Sequence, residues 1–134
     1  MDEIISSKTL CLIISPPPHT FSSSIVHKSY ELYLFIHLNI NAFPKRDRYT
    51  LGIQIEQRAL KILELIMLAR EKEGPSKILI LHKIDVELKL LKLFIRMSFD
   101  ILALPEKKYI DVSEKIIEIG KMLGGWIKDT KGPV

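Results

Sequence analysis

The stretch LHKIDVELKLLKLFIRMSFDIL, Leu81 to Leu102, decides the fold of this chain. Its apolar residues recur at alternating intervals of three and four, which is the periodicity of one helix face kept over three heptads. The side chains predicted to face a core are Leu81, Ile84, Leu88, Leu91, Ile95, Ser98 and Leu102. Polar residues follow beside them: His82, Asp85, Lys89, Lys92 and Arg96. The pattern is typical of one helix in a coiled-coil-like bundle.

Three other segments have the same periodicity, and turn residues separate them. Ser24 is a good N-cap for the first segment, which Pro44 ends. Asp47 or Thr50 is expected to cap the second, and Ser76 the third. The predicted helices span about 24–41, 48–73, 76–104 and 107–128. The fourth is predicted to turn Val112, Ile116, Ile119, Leu123 and Trp126 inward and to loosen at Gly124-Gly125.

Short turns between these helices allow each one only to double back beside its predecessor. We therefore predict an all-α, up-down-up-down four-helix bundle as one domain over residues 24–130. The sequence contains no Asn-Gly or Asp-Gly pair of the kind that predicts a β-hairpin, so no strands are expected.

Residues 1–23 are expected to form an irregular, flexible N-terminal arm. The apolar run from Leu10 to Ile14 is too short for a secretory signal or a membrane span, and the acidic residues Asp2 and Glu3 precede it. An alternative is that translation begins near Ser24, because no methionine occurs between Met1 and Met67. Cys11 is the only cysteine of the chain, which excludes an internal disulfide and favours a cytoplasmic location.

The charge of the chain permits an anionic partner. Among 134 residues, 20 Lys and Arg against 16 Asp and Glu give a net charge of +4. In an up-down bundle the first and third turns lie at the same end, so Lys45, Arg46 and Arg48 should lie near Lys107 and Lys108. These five cations are the predicted nucleic-acid-binding residues.

The segment FPKRDRYTLG, Phe43 to Gly52, also has a purely structural interpretation. Asp47 would cap the second helix, and the cations would favour the negative C-terminus of the first. Phe43 and Tyr49 could stack on a base, although packing against the next helical turn is the favoured interpretation.

The second and third helices are more apolar than one core-facing stripe requires. The excess residues are Ile53, Leu60, Leu63, Ile66, Met67 and Leu68, followed by Leu79, Val86, Leu90, Leu93, Phe94 and Phe99. Another subunit would cover this surface, so we predict a homo-oligomer. The alternative is a monomer with a broad core and scattered exposed leucines.

No residue pattern predicts catalysis, a metal or a cofactor. His27 with Glu31 and His82 with Asp85 have helical spacing, but a di-metal bundle needs Glu-x-x-His motifs that are missing. No Arg-x(4–6)-His ribonuclease signature, Ser-His-Asp set or phosphate-binding glycine motif can be found. Trp126 is expected to belong to the core.

Two motifs carry a resemblance to a known family over about residues 25–128. Phe43 to Gly52 with Ile55-Glu56, and Glu118 to Lys128 (EIGKMLGGWIK), resemble the four-helix-bundle family of the bacterial ribosomal RNA intervening-sequence proteins and the accessory variability determinants of diversity-generating retroelements. The resemblance implies a homopentamer with a basic surface, nucleic-acid binding and a reverse transcriptase partner. For the intervening-sequence branch it implies no specific role.

The sequence thus predicts a non-catalytic, oligomeric accessory protein that associates with RNA or DNA, without a membrane partner. The alternative is a protein-interaction scaffold that does not bind nucleic acid. A cryptic ribonuclease is a third hypothesis.

Overall fold

Four antiparallel helices form the described part of the chain. A computed structural model describes residues 24–132. Helix α1 spans Ser24–Ile40, α3 spans Gly74–Asp100 and α4 spans Glu106–Lys131. Helix α2 has three parts: a first turn, Lys45–Asp47, a π-helical turn, Arg48–Gly52, and a long α-helical part, Ile53–Arg70. Each helix packs on the next, and α1 also packs on α4, which closes the bundle. The predicted all-α four-helix bundle is confirmed, and residues 24–132 contain no strand.

One hydrophobic core runs along the inside of the bundle. The heptad pattern of α3 places Leu81, Ile84, Leu88, Leu91 and Ile95 there. Helix α4 contributes Val112, Ile116, Ile119 and Leu123, as the sequence predicts. Burial of such aliphatic side chains, at roughly 1.5–3 kcal/mol each, is the main stabilising term of the fold.

The N-terminal turns of α2 and α3 differ from the prediction. Pro44 precedes the first turn of α2, and neither Asp47 nor Thr50 caps the helix with its side chain, so both predicted caps are wrong. Proline suits this N-cap position because it has no N–H, and the N–H groups at the start of a helix find no partner within the helix. For the same reason α3 starts at Gly74 with Pro75 in its first turn, and the predicted cap at Ser76 is wrong.

The C-terminus of α3 corrects the prediction that Leu102 faces the core. Helix α3 ends at Asp100, and Leu102 is 87% exposed with a left-handed φ of 67°. The N–H of Leu102 donates to the Phe99 carbonyl and that of Ala103 to the Ser98 carbonyl. These bonds form a Schellman motif, which stops the helix before the heptad pattern ends.

Helix α4 is longer than predicted because Gly124 and Gly125 lie inside it. The helix continues to Lys131, so the prediction that the glycines loosen its end is wrong. A Cβ atom at either glycine would meet nothing within 4 Å, so the glycines make no room for Trp126. Trp126 is half-buried against the core, with the Lys77 ammonium 5.7 Å from its ring centroid.

The predicted arm, residues 1–23, lies outside the described residues. Between residues 24 and 132, no helix is long and apolar enough to cross a membrane.

Candidate nucleic-acid interface

The corner between α1 and α2 presents the first group of predicted cations. The chain turns at Asn41-Ala42-Phe43, with Phe43 buried and Pro44 starting the next helix. Lys45 and Arg46 lie on the outer side of the first turn and are exposed. Neither side chain forms an ion pair or hydrogen bond with any residue between 24 and 132. Both cations are therefore accessible to an anion.

Arg48 plays a different part in this corner. Its Nη2 atom donates a hydrogen bond of 3.2 Å to the carbonyl of Phe43, and its Nε atom is buried without a partner within the described residues. The guanidinium thus holds the carbonyl end of the turn that follows α1. Only part of this side chain remains accessible to a ligand.

Gly52 brings the start of α2 close to the end of α1. A Cβ atom there would lie 3.0 Å from Cγ2 of Ile40 and 3.4 Å from the carbonyl oxygen of Asp47. The wider π-helical turn, Arg48–Gly52, occupies the same place. The close packing fixes the position of the basic corner relative to the core.

The turn between α3 and α4 presents the second group of cations. Pro105 precedes α4, and Lys107 and Lys108 are exposed in its first turn. The Lys108 ammonium lies 5.7 Å from the ring centroid of Phe35 on α1. Lys107 has no side-chain partner within residues 24–132 and is accessible like Lys45 and Arg46.

The structure brings these two turns to one end of the bundle, which we call the basic end (Lys45, Arg46, Arg48, Lys107 and Lys108). Phe43 of the first turn and Leu104 of the second line the same small apolar cavity. The start of α2 and the end of α3 also share a groove, between Tyr49 and Ile101. The acids Asp47 and Glu106 lie among the cations.

Two more cations near this end were missed by the sequence analysis. The Lys115 ammonium lies 5.2 Å from the Phe35 ring, beside Lys108. Their spacing of seven residues on one helix was a signal that could have found this pair. Arg96 lies over the stacked rings of Phe99 and Tyr109, whose centroids are 4.6 Å apart.

The two aromatic residues of the α1–α2 corner differ in burial. Phe43 is buried in the core, whereas Tyr49 is 60% exposed, so the prediction that the ring packs against the next helical turn is wrong for Tyr49. The exposed ring stands beside Arg48 and offers a flat surface at the basic end.

A hydrogen-bonded cluster links α1 to α2 below the corner. Tyr33 donates from its hydroxyl to Glu56 Oε2 at 3.0 Å, and Nδ1 of His37 lies 3.1 Å from the same oxygen. Burial, assisted by the hydrogen bond to Glu56 and its charge, raises the pKa of Tyr33. The cluster joins the two helices and includes none of the five cations of the basic end.

The predicted excess of apolar residues is largely found on the surface. Ile53, Leu60 and Met67 of α2 and Leu79, Val86 and Leu93 of α3 have exposed fractions of 42–61%. Leu68 is also exposed, whereas Ile66 is fully buried, so its assignment to the excess was wrong. Leu63, Leu90, Phe94 and Phe99 are half-buried.

No group of three His, Cys, Asp or Glu side chains suited to a metal occurs among residues 24–132. His27 lies 3.3 Å from Glu31, as its spacing suggests, but the pair has no third ligand there.

The fold and its basic end define a helical-bundle protein with an open, positively charged surface. Residues 23–130 match the bAvd-like family, which covers most of the chain. The chain belongs to this family, the bacterial accessory variability determinants of diversity-generating retroelements. The match confirms the resemblance carried by the two sequence motifs. No curated protein matches the chain.

Proposed function

We propose that this protein is a non-catalytic, homo-oligomeric accessory protein of a diversity-generating retroelement, which binds RNA or DNA through its basic end in the cytoplasm. The observation that carries the proposal is the convergence of two turns, far apart in sequence, that together present Lys45, Arg46 and Lys107 without neutralising partners in residues 24–132. The family assignment supports the retroelement part of the proposal.

Phosphate binding is the chemistry that this surface suits. Lysine and arginine side chains that neutralise phosphates release condensed counterions, so binding weakens linearly in the logarithm of salt concentration. Oligomerisation would repeat the three free cations in every subunit and convert a weak site into a multivalent one. The exposed ring of Tyr49 offers a stacking surface for an unpaired base beside them.

The reverse transcriptase of the retroelement is the protein partner that we propose. The family assignment supports this part, and the basic end would hold template RNA or product DNA close to that enzyme. A pentamer is the assembly implied by the family resemblance.

A salt titration tests the nucleic-acid part of the proposal. The triple variant Lys45→Gln, Arg46→Gln and Lys107→Gln is compared with a control that removes three exposed cations at the opposite end, Lys72, Lys128 and Lys131. Binding of a single-stranded RNA is measured by fluorescence anisotropy between 50 and 200 mM salt. Losing three phosphate contacts should reduce the slope of log K against log salt by about 2.

The control should keep the slope of the wild type, although both variants lose the same charge. Equal losses in the two variants would mean that net charge alone attracts RNA, and no binding by the wild type would exclude the function. Light scattering with and without RNA gives the subunit number in the same samples.

The exposed apolar residues of α2 and α3 favour a second candidate function, a protein-interaction scaffold. Apolar association should be almost insensitive to salt, whereas phosphate binding should not. An oligomer that binds no RNA at any salt concentration would support the scaffold function.

A further inference from the structure

Two rows of exposed apolar residues share one spacing on neighbouring helices. On α2 the row consists of Ile53, Leu60 and Met67, and on α3 it consists of Leu79, Val86 and Leu93. We call them the α2 stripe and the α3 stripe. Residues seven apart lie almost above one another on a helix, so each stripe is a straight seam of roughly 21 Å. The core-facing side of each helix is a different one: it carries Ile62 on α2 and Leu88 on α3.

Between the ends of each stripe, the charged residues three or four positions from a stripe residue are opposite in sign on the two helices. At the positions three and four residues from the α2 stripe the charged residues are Glu56 and Glu64, whereas Arg58 and Lys61 lie on other faces of the same helix. The corresponding positions of the α3 stripe carry His82, Lys83 and Lys89, of which Lys89 already pairs with Asp85 at 2.9 Å. Lys83 forms no ion pair within residues 24–132, and Glu64 has only a 3.5 Å contact with Lys61.

We propose that the α2 stripe of one copy of this protein packs antiparallel against the α3 stripe of a second copy. Helices α2 and α3 run in opposite directions, so two copies standing side by side in the same orientation bring the stripes together antiparallel. Leu60 then faces Val86 of the other copy at the centre, with Ile53 near Leu93 and Met67 near Leu79. In this register Glu64 lies opposite Lys83.

A second copy of the chain is the occupant that matches both stripes at once. The stripes are equal in length and spacing, and their flanking charges attract each other, whereas two α3 stripes facing each other would bring lysines together. Because each copy carries one stripe of each kind, association can continue from copy to copy until the assembly closes. The inference rests on the proposed homo-oligomer and identifies its contact surface.

The experiment uses two full-length variants that each damage one stripe, Leu60→Asp and Val86→Asp. Both positions are solvent-exposed in the single subunit, so each variant should fold, and far-ultraviolet circular dichroism checks this. Light scattering of each variant alone should fall to the monomer mass of 15.4 kDa. An equimolar mixture should form a one-to-one complex of twice that mass, because the intact α3 stripe of the first variant fits the intact α2 stripe of the second.

Leu38→Asp is the matched control, since Leu38 is an exposed apolar residue of α1 outside both stripes. It should keep the wild-type mass. If the stripes pair with their own kind, one of the two variants keeps the wild-type mass and mixing restores nothing, which overturns the proposal.

The charge register gives a second, independent test. Glu64→Lys and Lys83→Glu should each weaken assembly, and the double variant should regain wild-type mass at low salt. A double variant weaker than either single variant would overturn the assigned register.

The failure of this inference differs from the failure of the proposed function. A wild-type protein that is monomeric at every concentration would remove the proposed oligomer itself. A wild-type oligomer whose mass survives Leu60→Asp and Val86→Asp would remove only the assignment of its interface to these stripes.

Discussion

The guanidinium of Arg58 on α2 holds both carboxylate oxygens of Glu87 on α3, with Nη1 at 3.0 Å from Oε1 and 3.2 Å from Oε2. The two side chains are only 27% and 18% exposed. The pair joins two of the helices over the outer edge of the core, where solvent screens it only in part.

Glu87→Gln should therefore lower the free energy of unfolding by about 1–2 kcal/mol, because it leaves a half-buried guanidinium without its charge partner. Chemical denaturation followed by circular dichroism measures this. Asp85→Asn is the matched control: it breaks the ion pair of Asp85 with Lys89, whose side chain is 75% exposed, and should cost less than about 0.5 kcal/mol. Equal losses of stability in the two variants would show that the Arg58–Glu87 pair stabilises the protein no more than the exposed Asp85–Lys89 pair does.

Gly52→Ala should destabilise the bundle. The added methyl group would lie 3.0 Å from Ile40, in the tight contact between α1 and α2, and overpacking of this kind typically costs about 1–3 kcal/mol. Gly124→Ala is the control, because its methyl group meets nothing within 4 Å and a glycine inside a helix costs about 0.5–1 kcal/mol relative to alanine.

The two glycine variants should thus shift the denaturation midpoint in opposite directions. A stabilised Gly52→Ala would mean that α1 and α2 can separate at the basic end without cost.

Leu102→Gly should stabilise the protein, because Leu102 adopts the left-handed φ of 67° that ends α3 and its side chain is 87% exposed. Relief of roughly 1–2 kcal/mol of left-handed strain is partly offset by about 0.4–1 kcal/mol from the freer unfolded chain. The net gain should be about 0.5–1 kcal/mol in the free energy of unfolding. Leu102→Ala keeps the strain and should change stability by less than about 0.5 kcal/mol, so a glycine variant less stable than the alanine variant would contradict this account.

Leu102 also shows where the sequence stops predicting the fold. Periodicity predicts the four helices and nearly all core positions of α3 and α4, because burial of a helix face leaves a direct trace in the sequence. The heptad pattern continues through Leu102, yet the helix ends before it in a Schellman motif that normally carries glycine. The starts of α2, directly after Pro44, and of α3, at Gly74-Pro75, were missed for a related reason. Each start carries a proline without an N–H and has no capping side chain.

The candidate site was predictable to a similar extent. The shared end of the two turns follows from the up-down topology, and the structure places all five predicted cations there. The sequence does not show that Arg48 binds the Phe43 carbonyl whereas Lys45 and Arg46 stay accessible, because this difference depends on a three-dimensional contact. The packing of Lys108 and Lys115 on Phe35 depends in the same way on the adjacency of α1 and α4.

Loss of the Tyr33 hydroxyl proton should make the bundle less stable at alkaline pH. Burial, and then the hydrogen bond to Glu56 with its negative charge, raises the pKa of Tyr33 above the ordinary value of 10.0. Below pH 10 the phenol is protonated in both the folded and the unfolded state, so its contribution to stability is fully present. Above pH 10 the unfolded chain loses this proton while the folded protein retains it, and stability falls until the folded pKa is passed.

The comparison is made with Tyr33→Phe, which removes the titrating hydroxyl and keeps the ring beside His37. At pH 8 the variant should be less stable by about 1–2 kcal/mol, because it loses a partly buried hydrogen bond to the Glu56 carboxylate. Denaturation at pH 8, 10 and 11 should show this difference shrinking as the pH rises, because the wild type loses the contribution that the variant never has. A difference that stays constant up to pH 11 would mean that burial and the contact with Glu56 do not raise the pKa of Tyr33 in the folded protein.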